Sequence, residues 1–103
     1  TGKVTPMGIS GDVANKICLI YDDIINTGST VVEVSKFLKQ HKAKEVHFLV
    51  THGVFAGNGL TLMTDESINS IVISDSIFHQ ELPEKIKVLD TSELFAKALK
   101  TWI

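Results

Sequence analysis

A short apolar run followed by a glycine-containing turn and a helix constrains this chain more than any other segment. Residues 17–20 are uninterrupted apolar residues rich in β-branched side chains, which is typical of a strand buried on both faces. Two acidic residues and the turn at residues 27–30 follow, and helical periodicity begins after Thr30. The pattern predicts a strand-to-helix loop, carrying the acids and the turn, at the carboxyl end of the strand. Open α/β sheets bind ligands at that end.

The turn has the composition of an anion site. Gly28 permits a positive φ and a close approach of backbone to a ligand. The amides from Thr27 to Thr30 lie at a helix start, where the first donors lack helical partners and the dipole favours negative charge. The hydroxyls of Thr27, Ser29 and Thr30 add uncharged donors. The loop has no Lys or Arg, so it differs from the lysine-bearing nucleotide loop, and the pattern indicates a phosphate held by backbone amides.

The acids Asp22 and Asp23 suit the other end of a sugar phosphate. Carboxylates repel phosphate, but they accept hydrogen bonds from ribose hydroxyls and are ligands for Mg²⁺. A phosphate at the turn and a diol at the acids together describe a ribose 5-phosphate group.

A purely structural interpretation uses the same residues. Thr30 and Glu33 have the spacing of a capping box, in which each side chain bonds the backbone amide of the other. Gly28 would then be an ordinary turn residue, and the two acids would be the polar end of a strand.

The loop also resembles a known signature. Asp-Asp-Ile-Ile-Asn-Thr-Gly-Ser-Thr at residues 22–30 is similar to the D-D-x-x-D-T-G-x-T segment of the type I phosphoribosyltransferase fold. Its flanks resemble the C-terminal half of ribose-phosphate pyrophosphokinases. Residues 11–16 are similar to that family's G-D-V-x-G-K turn, residues 50–58 to its A-T-H-[GP]-x-F-S-G-N stretch, and residues 73–77 to its V-x-D-T-I segment.

This resemblance implies that the chain, residues 1–103, is a single C-terminal phosphoribosyltransferase-type domain of a longer two-domain enzyme. Such enzymes transfer pyrophosphate from ATP to ribose 5-phosphate with Mg²⁺, and they assemble into homo-oligomers. It implies that ATP binds mostly to the other domain and a neighbouring subunit, so we expect this piece to be inactive alone. The first residue is Thr rather than Met, which also leads us to expect a fragment.

The resemblance also assigns roles to residues. The 5′-phosphate would be held by five consecutive residues of the turn: Asn26, Thr27, Gly28, Ser29 and Thr30. Asp22 and Asp23 would contact the ribose hydroxyls and the metal-bound substrate, and His52 would border the site. No catalytic residue is assigned.

Four positions depart from the family pattern. Asn15 replaces the glycine of the turn at residues 11–16, which Asn can do because it tolerates a positive φ. Asn26 stands where the family usually has Asp, so a side-chain oxygen remains but the charge and any proton-transfer role are lost. Ser29 replaces a glycine, and Ala56 replaces a serine. Two alternatives stay open. One is a phosphoribosyltransferase acting on a nucleobase, which would need a base-binding hood and usually an acid at the position of Asn26, and the sequence shows neither. The other is a non-catalytic regulatory relative that kept the fold, which Asn26 favours.

Composition restricts the class of protein. A chain of 103 residues, 44% of them hydrophobic and with a net charge of −2, is typical of one globular domain. The lysines are scattered and no apolar stretch approaches the roughly 20 residues of a membrane span, so we expect neither nucleic acid nor membrane as a partner. Cytoplasm is the expected location. The four histidines lack metal-ligand spacing, and the single Cys18 is expected to be packed in the core.

Periodicity outside the turn predicts alternating strands and helices, and hence an α/β fold with a parallel, doubly wound sheet flanked by helices. We expect strands at residues 4–9, 46–51, 70–74 and 86–89 and helices at 30–41, 59–64 and 91–102. The first helix should face the sheet with Val31, Val34 and Leu38. The last helix should bury four apolar side chains: Leu94, Phe95, Ala98 and Leu99.

Overall fold

The computed structural model describes residues 3–5, 8–10 and 12–102, with the side chains of residues 12–92 and 96–100. The helices and strands follow one another in this order: β1 (Lys3–Thr5), β2 (Gly8–Ser10), β3 (Ile17–Ile25), α1 (Ser29–Gln40), β4 (Glu45–Gly53), α2 (Gly59–Leu62), β5 (Ser70–Ser74), β6 (Ile86–Leu89) and α3 (Ser92–Trp102).

Strands β3, β4, β5 and β6 form a parallel sheet in that order. Helix α1 connects β3 to β4, and α2 lies between β4 and β5. The predicted α/β fold with a parallel sheet is confirmed. The register places Ile20 beside Phe48, Phe48 beside Ile71, and Ile71 beside Ile86, so one row of core side chains crosses all four strands.

Helix α1 covers this row. Val31 and Leu38 are buried and Val34 packs against the core, which confirms the predicted inward face. Leu38 has no exposed surface, and burial of such a side chain contributes about 1.5–3 kcal/mol. Packing of α1 against the sheet therefore determines the position of its N-terminus relative to the strands.

Strand β3 differs from the prediction in length and in burial. It continues through both acids to Ile25, because Asp22 pairs with Val50 in the parallel ladder. Its expected burial on both faces is wrong: Ile17 is 62% exposed and Leu19 is 63% exposed. The reason is that α1 covers one face of the sheet, while no element in the described part of the chain covers these side chains on the other.

The first segment is also different from its prediction. Instead of one edge strand at residues 4–9, β1 and β2 form an antiparallel pair with Val4 opposite Ile9. The connection at residues 6 and 7 lies outside the described residues. A proline at position 6 has no amide for a strand ladder, which is consistent with two short strands rather than one.

The last helix begins one residue later than expected, at Ser92. Leu94 and Phe95 lie outside the described side chains, and Ala98 is half-buried. Leu99 is 53% exposed, so its predicted burial is wrong. This helix follows β6, the last strand of the sheet, where no described element covers Leu99. Among the described helices, none is both long and apolar enough to cross a bilayer.

Replacement of Ser35 by Ala is expected to stabilise the fold. Ser35 is fully buried on α1, and its hydroxyl has no hydrogen-bond partner among the described residues. An unsatisfied buried hydroxyl is costly and Ala is the best helix former, so Ser35→Ala should raise the free energy of unfolding by about 1 kcal/mol. Urea denaturation measures this. Glu33→Ala, at an exposed position of the same helix, controls for helix propensity, and an equal gain there would refute the explanation from burial.

Candidate functional site

The predicted anion turn lies between the end of β3 and the start of α1. Gly28 is the N-cap of α1 with φ of 92°, a left-handed conformation that favours glycine. The first turn of the helix is closed by the Val32 amide, which donates to the Gly28 carbonyl at 3.1 Å. The cap has no side-chain hydrogen bond, so the capping box between Thr30 and Glu33 is wrong. Thr30 lies inside the first turn instead.

The backbone donors of the turn are left available. Among the hydrogen bonds between described residues, none is donated by the amides of Thr27, Gly28 or Thr30. The Ser29 amide has only a long contact of 3.4 Å to the Thr27 hydroxyl, which is near the limit of a hydrogen bond. Unpaired donors at a helix N-terminus, together with the helix dipole, form a site that suits an anion.

The hydroxyl groups lie on the solvent side of the turn. Thr27, Ser29 and Thr30 are exposed, and the Thr27 and Ser29 hydroxyl oxygens are 3.3 Å apart. Hydroxyls at this separation can donate together to neighbouring oxygens of one ligand group. The turn therefore combines backbone and side-chain donors without a positively charged side chain.

The two acids are placed differently from the prediction. Both lie within β3 rather than on the loop, and successive residues of a strand point to opposite faces. Asp22 lines a cavity beside the turn, together with Asn26, Thr27 and Thr30. Its carboxylate accepts a hydrogen bond from the Asp23 amide at 2.7 Å. Asp22 is thus on the same side as the anion turn, whereas Asp23 is not among the residues that line the cavity.

The cavity has a volume of about 250 Å³ and opens beside the edge of β3. Apolar side chains from the strands and from α1 form its floor: Ile20, Ile24, Ile25, Val31, Val34, Phe48 and Val50. Its polar rim consists of Asp22 and of residues of the turn. The rim thus combines the anion turn with a carboxylate, and these groups suit a small ligand that carries both an anionic group and hydroxyl groups.

The segment after β4 supports the turn from below. The Val54 amide donates to the Ile25 carbonyl at 2.9 Å, and the Ala56 amide donates to the Asn26 carbonyl at 2.7 Å. These bonds occupy carbonyl groups that enter the turn and leave its amides unpaired. Sequence reasoning missed this supporting role. The resemblance at residues 50–58 was the available signal. It marked the segment but did not show what the segment contacts.

His52 lies at the carboxyl end of β4 and is exposed. Its Nδ1 is 2.7 Å from the hydroxyl of Ser76, in the segment after β5. This bond orients the ring toward the β5 side of the sheet edge, so a role next to the turn remains a prediction. In the described part of the chain, no three His, Cys, Asp or Glu side chains are grouped so that they could hold a metal.

Comparisons with known proteins found a matching family and several relatives. Residues 1–102 match the phosphoribosyl synthetase-associated domain family. The chain is 37% identical over 93 residues to the ribose-phosphate pyrophosphokinase of Thermotoga maritima, covering 90% of this chain and 30% of that protein. It is 35% identical over 101 residues to the enzyme of the same name from Cereibacter sphaeroides, covering 95% of this chain and 30% of the relative.

A solved structure has the same fold. The phosphoribosylpyrophosphate synthetase from Mycobacterium smegmatis superposes with a TM-score of 0.84 at 25% sequence identity. The match covers 91% of this chain and 32% of that one. The chain thus spans about a third of the length of the proteins it matches.

The position of Asp22 predicts unequal roles for the two acids. Asp22→Asn should weaken binding of the expected ligand, ribose 5-phosphate, at least tenfold, because a hydrogen bond to a charged acceptor is worth about 1.5–3 kcal/mol. Asp23→Asn is the matched control and should change the affinity by less than about threefold on the same free-energy scale. Calorimetric titration of both variants measures this difference. Equal losses in the two variants would contradict the prediction that Asp22, which lines the cavity, is the stronger ligand contact of the two.

Proposed function

Because the chain belongs to the phosphoribosyl synthetase-associated domain family, we propose that it is the ribose 5-phosphate-binding part of a ribose-phosphate pyrophosphokinase. The observation that carries the proposal is the turn at residues 26–30, where the amides of Thr27, Gly28 and Thr30 have no partner among the described residues. The proposed activity of the whole enzyme is transfer of pyrophosphate from ATP to ribose 5-phosphate, in nucleotide biosynthesis.

In this proposal the 5′-phosphate binds the amides and hydroxyls of the turn. Thr27, Ser29 and Thr30 supply the hydroxyls, and the N-terminus of α1 supplies the dipole. Asn26 contributes an uncharged side chain where the family usually has an acid. The loss of that charge removes repulsion toward the phosphate, so binding is retained, while proton transfer at this position is not available.

The ribose hydroxyls are proposed to lie toward Asp22, across the rim of the cavity. A sugar held at its phosphate has its reacting end fixed in space, and this positioning lowers the barrier to transfer. Asp23 does not line the cavity, and it is proposed only as the weaker of the two acidic contacts. His52 is proposed as a weak further contact at the same edge of the sheet.

We propose that Mg²⁺ is bound jointly by the protein and the substrate. Magnesium usually keeps several waters and is bound through one or two carboxylates together with phosphate oxygens. Since no three-residue metal cluster occurs among the described residues, we propose that Asp22 and Asp23 contact the ion only with the substrate present. The bound ion would neutralise phosphate charge during transfer.

The remaining parts of the proposal concern the whole enzyme. The chain spans about a third of its relatives' length, and we propose that most ATP contacts come from outside residues 1–103. We further propose a cytoplasmic homo-oligomer. A nucleobase phosphoribosyltransferase is less favoured, because the relatives reported above are named as pyrophosphokinases. Asn26 is the observation that favours a non-catalytic regulatory relative as the second candidate.

Gly28→Val tests the anion turn. A β-branched residue resists the left-handed conformation, and its Cβ would overlap the Met63 methyl group. Ribose 5-phosphate binding should fall below detection in a calorimetric titration, while circular dichroism still reports a folded chain. Asn15→Val is the matched control, because Asn15 also has a positive φ but precedes β3 at its opposite end. Binding by Gly28→Val with unchanged affinity would show that the turn is not the phosphate anchor.

The chain alone should not turn over. With ATP, Mg²⁺ and ribose 5-phosphate, we expect no AMP release above background, because the proposed ATP contacts lie elsewhere. Chromatographic detection of AMP measures this. Turnover by this chain would overturn the proposed division of the site. Failure of the wild-type chain to bind either ribose 5-phosphate or phosphoribosyl diphosphate would favour the non-catalytic relative.

A further inference from the structure

The underside of the anion turn rests on one side chain from the next layer of the fold. Gly28 is buried, and a Cβ atom built on it would overlap the Met63 Cε and lie 3.6 Å from its Sδ. Met63 itself has no exposed surface. The end of the Met63 side chain therefore fills the space directly below the residue that gives the turn its left-handed conformation.

Met63 is itself held in place by α2. Its amide donates to the Gly59 carbonyl at 3.1 Å, at the end of this short helix. Gly59 in turn lies against the turn, since a Cβ built on it would be 2.8 Å from the Thr27 carbonyl oxygen. With the hydrogen bond from Ala56 to Asn26, three consecutive turn residues contact one supporting segment.

We propose that Met63 is a positioning residue for the sugar-phosphate site. Its thioether supports Gly28 from below and holds the turn in the conformation whose amides stay unpaired. Met63 does not touch the ligand in this proposal; it acts through Gly28. The inference rests on the proposed function, because it assigns a role in binding ribose 5-phosphate at that same turn.

The chemistry of methionine suits this role. Its unbranched side chain can extend its terminal methyl group into a narrow space that a branched side chain of similar volume does not reach. Met63→Leu keeps the volume of the core but withdraws the tip from Gly28, so it separates a positioning effect from the loss of core packing. A larger truncation is avoided, because it would leave a cavity in a buried position.

A double-variant cycle on the full chain tests the contact. Gly28→Ala alone should weaken ribose 5-phosphate binding at least tenfold, because the new methyl group and Met63 compete for one space. Met63→Leu alone should weaken it about threefold. In the Gly28→Ala/Met63→Leu variant we expect an affinity at least threefold better than in Gly28→Ala alone, since the withdrawn tip leaves room for the methyl group. Calorimetric titration gives the affinities, and thermal unfolding of each variant reports stability separately.

Gly57 supplies the matched control. It also has a positive φ, of 61°, but a Cβ built on it meets nothing within 4 Å. Gly57→Ala and Met63→Leu should therefore act independently, so the fold-change in affinity of the double variant should equal the product of the two single fold-changes. If the effects of Gly28→Ala and Met63→Leu also multiply, within twofold, while the wild-type chain binds, the role of Met63 is overturned and the proposed function stands. Absence of binding by the wild-type chain overturns the proposed function and this inference with it.

Discussion

The direction of the backbone groups at the end of β3 is the constraint on which the site depends. The carbonyls of Ile25 and Asn26 accept hydrogen bonds from the segment after β4, and Gly28 then reverses the chain with a positive φ. Once the carbonyls are satisfied on the inner side, the next amides have no acceptor in the described chain. A buried amide without a partner is costly, and these amides belong to residues that line an open cavity, where a ligand can supply the missing acceptor. The site is thus a consequence of strand register and one glycine.

The regular elements could be predicted from the sequence wherever the pattern was local. Strands β5 and β6 have the predicted bounds, and α1 is displaced by only one residue, because apolar periodicity and turn residues mark these segments. Strand β3 was predicted too short, because Asp is rare in strands. Pairing of Asp22 with Val50 overrides this preference. The prediction that Ile17 and Leu19 are buried failed for a related reason, because an apolar run does not show whether other elements cover both faces of the strand.

The candidate site was predictable in part. The glycine-containing turn and its helix were visible in the sequence, since Gly28 and the following periodicity determine them locally. The interpretation of Thr30 as a cap failed, because the N-cap is the left-handed Gly28, two residues earlier than the spacing suggests. The contact of Met63 with Gly28 joins residues far apart in the chain, and neither residue type indicates it. Tertiary contacts of this kind leave no periodic pattern in the sequence.

In the proposed function a turn without a positively charged side chain binds a phosphate, and the direction of its backbone amides explains how. A lysine would bind a dianion strongly at many positions, whereas amides fixed in one direction bind an oxygen only where the backbone places them. Directional binding demands a rigid frame, and here the frame is α1 on one side and the Val54–Met63 region on the other. Asp22 also lines the cavity, and in the proposed function its carboxylate repels a phosphate and so disfavours binding of the sugar in the reverse orientation. Asn26 carries no charge where the family usually has an acid. In the proposed function the turn therefore has no negative charge near the phosphate, and the carboxylate lies only near the ribose hydroxyls. The proposed function thus assigns the orientation of the sugar to the amides of the turn and the carboxylate of Asp22, both of which belong to this chain.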